Sequence, residues 1–288
     1  LYCVGATKAG TSWLYDYLTG HLECHMRSIK ELHYFDTLEG GYFRYQIRRQ
    51  QQAAAKLREQ MLNAKAPRVP HITSKLRDVL DWHNVLESKS EDTAGYLSYL
   101  MDGRENHALV ADITPSYVLL PVERLQRMAS LSPDTRFLYL MRDPVARLWS
   151  HVRMVARRAS DAADAVPEAC YATLERVLNG AQSGMTERGD YAGALGRLTA
   201  AIAPAKLMVM FMEDMLTPAG HSRLCRFLGI GYVDAQFDRA VHVGPALVMM
   251  PEQLQRARAL LRPQYEFVDR QYPELPANWR KNMCEGTL

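Results

Sequence analysis

An α/β fold is predicted: three layers, with a central, mainly five-stranded parallel sheet and a helical insertion. Three observations predict it. Five short apolar runs, at residues 1–5, about 24–29, 108–112, 136–141 and 207–212, are separated by helical patterns. That rhythm belongs to parallel strands joined by crossover helices. The first run leads directly into a glycine loop, Gly5-Ala6-Thr7-Lys8-Ala9-Gly10-Thr11-Ser12. The rhythm breaks once, over residues 44–105, where the chain is polar, helix-prone and long between two strands.

Each element has its own signal in the residues. Leu1-Tyr2-Cys3-Val4 is a buried strand, and Trp13, Leu14, Tyr17 and Leu18 form one face of a helix that Gly20 stops. Strand, glycine loop and helix together make a P-loop-like unit that offers backbone N–H groups and a helix N-terminus to an anion. A nucleoside-triphosphate loop reads G-x-x-x-x-G-K-[ST], with lysine after the second glycine. Here Thr11 stands in that place and the lysine has moved inside the loop, to Lys8. The loop is therefore built for an anion other than the β- and γ-phosphates of ATP with magnesium.

The insertion carries nine lysines and arginines from Arg44 to Arg77 against one acid, Glu59, and Pro67 and Pro70 divide it into two helical pieces. It is read either as a cover that shapes acceptor choice or as a solvated pair of surface helices. Arg136-Phe-Leu-Tyr-Leu-Met141 is a buried strand ending in Arg142-Asp143-Pro144. Asp143 suits the N-cap and Pro144 the first position of a helix that begins there. Arg142 then stands at a strand's carboxyl end and Ser150 about two turns into that helix, beside the sheet edge where open α/β sheets bind ligands. Arg147 is assigned to the surface. The tail holds a helix ending at Gly229, a turn-rich stretch through Gly244-Pro245, and a long helix from Pro251 interrupted near Pro263.

These segments resemble the sulfotransferases that use 3′-phosphoadenosine 5′-phosphosulfate (PAPS). Gly5–Ser12 resembles the family's 5′-phosphosulfate loop, and Arg142-Asp-Pro-Val-Ala-Arg-Leu-Trp-Ser150 resembles its 3′-phosphate motif. Lys30-Glu31-Leu32-His33-Tyr34-Phe35-Asp36 looks like the lysine-glutamate segment of the carbohydrate and heparan-sulfate branch and its bacterial relatives. Thr114-Pro115-Ser116-Tyr117 and Gly189-Asp190-Tyr191 are weaker matches, and the resemblance runs in order from residue 1 to about 230. It implies one sulfotransferase domain over 1–288 and a P-loop-like three-layer sandwich. It also implies sulfuryl transfer from PAPS to a hydroxyl or amine of a small-molecule or glycan acceptor. Adenosine 3′,5′-bisphosphate is the implied product, and no metal is required.

By the same resemblance Lys8, Ala9, Gly10, Thr11, Ser12, Arg142, Ser150 and Tyr191 hold the donor, and Lys8 also acts on the leaving phosphate. Lys30, Asp112 and Tyr117 are acceptor-side candidates. Asp112, which ends the run Ala108-Leu-Val-Ala111, also looks like the magnesium-linked aspartate of a nucleotide-hydrolysing enzyme. Glu31 is the expected general base and His33 its rival, since on an extended segment the two point to the same side. The closing C-terminal loop has one candidate, His242-Val243-Gly244. A P-loop kinase or NTPase and a non-catalytic nucleotide-binding protein are the competing readings.

Composition fits an enzyme of this kind. The 288 residues carry 35 basic and 32 acidic side chains, a net charge of +3 that does not argue for nucleic acid. No apolar run approaches the roughly 18 residues of a membrane span. The five cysteines, without C-x-x-C spacing, do not suggest zinc, and a reducing cytoplasm is the expected setting.

Overall fold

A computed structural model describes residues 1–160, 162, 164–237 and 247–285. β1 (Tyr2–Gly5) enters a loop that delivers α1 (Thr11–Thr19). β2 (Cys24–His25) is short, and the chain then turns through residues 26–33 into α2 (Tyr34–Gly40). The insertion consists of α3 (Phe43–Leu62), a 3₁₀ turn at Ala66–Arg68, α4 (Val69–Glu87) and α5 (Thr93–Met101). Pro67 sits in that turn and Pro70 in the first turn of α4, where a missing N–H costs nothing.

Next come β3 (Leu109–Val110), β4 (Asp112–Ile113), a 3₁₀ turn at Pro115–Leu119, α6 (Val122–Ser130) and β5 (Phe137–Met141). α7 (Pro144–Ala159), α8 (Val166–Leu178), α9 (Ser183–Glu187) and α10 (Tyr191–Ala201) lead to β6 (Leu207–Phe211). α11 (Met212–Met215), α12 (Pro218–Leu228), α13 (Pro251–Gln271) and α14 (Ala277–Cys284) end the described chain.

The central sheet is parallel and has four strands, in the order β4-β1-β5-β6, with β2 and β3 paired as a separate two-stranded ladder. This differs from the five strands expected in one sheet. The third run divides at Ala111, its first half pairing with β2 and its second with β1. The second run stops after His25 because Arg27 turns away to the insertion. There its guanidinium meets Asp78 at 2.6 Å and Asp102 at 2.8 Å, and Ser28 N–H donates to Asp78.

Register places the site. Gly5 lies opposite Tyr139, and Ala6 N–H donates to Leu140 O, so β1 and β5 end side by side. The chain leaves β1 toward β4 on one side and β5 on the other. Their carboxyl ends therefore form the switch-point crevice of an open α/β sheet.

An aromatic cluster seats the insertion on this sheet. Tyr34 stacks on Tyr96 at 4.6 Å, Phe35 meets Tyr117 edge-on at 5.4 Å, and Trp82 packs against Tyr96. All five are buried, and each such pair adds about 0.5–1.5 kcal/mol beyond area burial.

Two tail expectations differ in outcome. α12 ends at Gly229, whose φ of 73° is the left-handed cap expected of glycine. α13 runs unbroken through Pro263. Ala259 and Pro263 both face solvent, so the carbonyl that loses its partner can be hydrated, while Ala257, Leu261, Tyr265 and Val268 hold the buried face. The candidate closing loop, His242-Val243-Gly244, lies outside the described residues.

Candidate active site

The glycine loop and Arg142 meet at the switch point. Gly10 precedes α1 at φ 87°, and a Cβ there would come within 3.0 Å of Met212 Cγ. Gly5 is closed in as well, since a Cβ would lie 2.7 Å from the Tyr139 ring. Lys8 holds φ 72°, a left-handed conformation that is uncommon for a side-chain-bearing residue and recurs at functional sites. Its half-buried ammonium touches Met154 Sδ of α7 at 3.8 Å. Arg142 Nη1 donates to Lys8 O at 3.2 Å.

α7 is capped as its sequence foretells. Asp143 accepts from Ala146 N–H at 2.8 Å, and Pro144 opens the helix. Asp143 also accepts from Tyr265 Oη at 2.7 Å and Asn282 Nδ2 at 3.1 Å, so it is a cap rather than an ion partner of Arg142. Ser150, Met154 and Arg158 recur every four residues on α7 and share a face. Met154 touches Lys8, so this face borders the loop.

The site is electropositive. Burial lowers the Lys8 pKa, and Arg142, Lys30 and Arg158 push it the same way. Burial also lowers that of Arg142. His151 is depressed to about 3 by burial and by Arg147, Arg188, Lys8 and Arg158. Neither Lys8 nor Arg142 forms an ion pair among the described residues. Such a cluster favours an anionic ligand.

Tyr191 and Arg147 lie elsewhere than expected. Tyr191 is fully buried, and its hydroxyl hydrogen-bonds the Arg142 backbone, accepting from N–H at 3.3 Å and donating to the carbonyl. It holds Arg142 from below. Arg147, assigned to the surface by the sequence, is completely buried. It donates to Met185 O at 2.8 Å and packs against Gly189, leaving no room for a Cβ there.

Lys30, Glu31 and His33 form the second half of the site. They lie on irregular chain rather than a strand, and His33 takes a left-handed φ of 55° as the N-cap of α2. That turn, rather than strand alternation, brings the side chains together. Lys30 Nζ donates to Glu31 Oε1 at 2.7 Å and to Thr11 Oγ1 at 3.3 Å, which links this loop to the start of α1. His33 Nε2 lies 3.5 Å from Glu31 Oε2, and Nδ1 lies 2.7 Å from Asp36 Oδ2. Ser116 Oγ donates to the same Asp36 oxygen at 2.7 Å.

The electrostatics of this row separate its members. Burial opposes charge on Glu31, yet hydrogen bonding with His33 and the adjacent Lys30 hold its carboxyl below the usual range. Burial likewise opposes charge on His33, but Asp36 and Glu31 outweigh it and raise the imidazole to about 9. Asp36 and Ser116 join the row without a role assigned to them from sequence. The His33-x-x-Asp36 spacing across a helix start is the signal that points to the first of them.

Asp112 and Tyr117 sit beneath this row. Asp112 is buried and accepts from Thr114 at 2.6 Å and from Tyr96 and Tyr117 at 2.9 Å each. Burial raises its pKa to about 6 against these hydrogen bonds. Thr114 Oγ1 in turn accepts from Leu32 N–H, and Tyr117 Oη accepts from Tyr34 N–H. Both residues therefore brace the backbone on either side of His33.

His33 gives the fold a pH signature. Its folded pKa lies above the unfolded value of 6.5, so the stabilisation is fully present below that pH and is lost as pH rises through about 9. At 1.36 kcal/mol per pKa unit, allowing for partial exposure, about 2 kcal/mol is at stake. Denaturant titrations at both ends of the window should show wild type losing about that much more than His33→Asn. Equal pH dependence in the two proteins would refute the imidazolium.

Fold and site together define an α/β protein with a cationic anion site at its switch point, faced by a carboxylate-imidazole row. The chain belongs to the sulfotransferase family, whose sequence profile matches residues 1–234, and sulfuryl transfer is that family's chemistry. The crystal structure of a sulfotransferase from Alicyclobacillus acidocaldarius superimposes with a TM-score of 0.59 at 18% identity, covering 97% of each chain. That likeness speaks for the fold. No curated protein matches the chain.

Proposed function

We propose that this sulfotransferase uses PAPS as donor and sulfates a hydroxyl, or an amine, on a carbohydrate or another aliphatic alcohol. The observation that carries the donor assignment is the meeting of two cations without carboxylate partners, Lys8 and Arg142, beside the N-terminus of α1. The chain would then form one sulfotransferase domain in which the insertion bounds the acceptor side. Lys30-Glu31 carries the tilt toward carbohydrate.

The residues present fit the donor. Lys8, the N–H groups from Gly10 to Ser12 and the Thr11 and Ser12 hydroxyls would take the 5′ end, and Arg142 with Ser150 the 3′-phosphate, whereas the Ala9 N–H expected there donates to Ala6 O at 3.1 Å. Bound there, PAPS would supply an activated sulfuryl group and leave as adenosine 3′,5′-bisphosphate. Lys8 would stabilise negative charge growing on the departing phosphate. Tyr191 acts behind these groups by holding the Arg142 backbone, and Arg147 ties α7 to the Met185 carbonyl.

The choice of base rests on protonation state. At neutral pH the His33 imidazole, raised to about 9, carries both its protons. An imidazolium has no lone pair with which to take a proton, whereas the Glu31 carboxylate is ionised and can accept a proton. Glu31 is therefore the general base in this proposal. Asp36 holds His33 in place, and Lys30 bridges the carboxylate to Thr11 of the donor loop.

Ligand stabilisation tests the donor site. Adenosine 3′,5′-bisphosphate should raise Tm by mass action, and adenosine 5′-monophosphate should do much less because it gives Arg142 and Ser150 nothing to hold. Arg142→Ala should erase most of that difference. Equal shifts from both nucleotides in the wild type would sink the 3′-phosphate assignment.

A further inference from the structure

The outward face of α3 has no role in the site. Arg44, Arg48, Arg49, Lys56 and Arg58 are all exposed on it, and none forms an ion pair among the described residues. At 100° per residue they fall within an arc of roughly 180°. Gln46, Ile47, Gln50 and Ala54 fill the opposite, buried side against α4. Tyr45, 66% exposed, and Leu62, 87% exposed, lie among the cations. From Arg44 to Arg77 nine cations stand against one acid, a net +8 in a chain of +3, so the remainder carries −5. The excess positive charge of the molecule is thus concentrated in residues 44–77, the helix α3 and the start of α4.

We infer that this face docks the protein on an anionic lipid surface. The cations are spread along the outside of a 20-residue helix, about 30 Å long, rather than gathered in a groove that would grip a single polymer chain. An aromatic and a leucine interleaved with basic residues suit the boundary between headgroups and acyl chains. A polybasic face gains affinity for anionic lipids residue by residue. The insertion is clamped to the loop preceding Lys30 through Arg27 and Asp78, so docking would hold the site beside the membrane. This is peripheral binding: among the described residues no helix is long and apolar enough to cross a bilayer.

Vesicle flotation tests the inference without reference to catalysis. The full chain should float with phosphatidylcholine vesicles containing phosphatidylglycerol, and not with phosphatidylcholine alone. Binding should disappear near 1 M salt, where the screening length falls to about 3 Å. A variant combining Arg44→Gln, Arg48→Gln, Arg49→Gln, Lys56→Gln and Arg58→Gln keeps good helix formers. It should bind at least about a hundredfold more weakly. The salt response of the wild type stands as a measurement that needs no variant. Failure to float at low salt overturns the inference. So does equal flotation by a folded variant, or retention on a soluble sulfated polysaccharide without vesicle binding.

Discussion

Glu31→Gln is expected to lose about a hundred- to ten-thousand-fold in kcat, the contribution of a positioned general base. The substitution keeps the size of the side chain and removes its ability to accept a proton. Affinity for adenosine 3′,5′-bisphosphate should stay nearly unchanged, because the direct bonds of Glu31 are to Lys30, at 2.7 Å, and His33 rather than to the donor loop. Nucleotide binding by thermal shift and turnover by labelled donor separate the two effects. His33→Asn is the matched control. It removes the imidazolium, leaves Glu31 with Lys30 alone, and should cost less than the loss of the carboxylate. Should His33→Asn be dead while Glu31→Gln turns over normally, the base is the histidine, and an acceptor of the phenol type becomes the better reading.

Lys8→Ala is expected to lose at least about a hundredfold in kcat, on the scale of one removed transition-state donor. Its ammonium is half-buried and lies among Arg142, Lys30 and Arg158, whose push outweighs the opposing pull of Glu31, and it forms no direct ion pair among the described residues. Charge arriving on the leaving phosphate therefore meets a cation not tied up in an ion pair, in a partly dry setting where the interaction is strengthened. Ground-state nucleotide affinity should fall less, since the loop N–H groups and Arg142 remain. Near-normal turnover of this variant would show that another group carries the leaving charge.

The first half of the site is legible in the sequence because its signal is local. The Gly5–Ser12 loop and Asp143-Pro144 each specify backbone conformation within a few residues, and the helices begin where those residues place them. The row on the other side is legible only in its members. Strand alternation predicts that Glu31 and His33 face together, and they do meet, but through the left-handed turn at His33. The features that escape a sequence reading are set by tertiary contact. Asp112 and Tyr117 carry the polar groups of cleft residues, yet they bond to each other, and the hydroxyls of Tyr96 and Thr114 complete the Asp112 carboxylate beneath the surface. Arg147 reads as a surface arginine because nothing near it in sequence announces a carbonyl acceptor, which Met185 supplies from 38 residues away. The missing fifth strand has the same origin, since Arg27 finds its carboxylates on the insertion.

The cap of α7 also sets a timetable for synthesis. Asp143 opens the helix that carries Ser150, but Tyr265 and Asn282 complete its hydrogen bonds from 122 and 139 residues further along. Both lie beyond residue 234, where the family match ends. At the roughly 5–20 residues per second of translation, 139 residues take about 7 to 28 s. For that interval the Asp143 carboxylate is short of the two donors that it has in the finished fold. The growing chain thus reaches the end of its recognisable sequence before it can finish the site that sequence encodes, and α13 and α14, made later, close it.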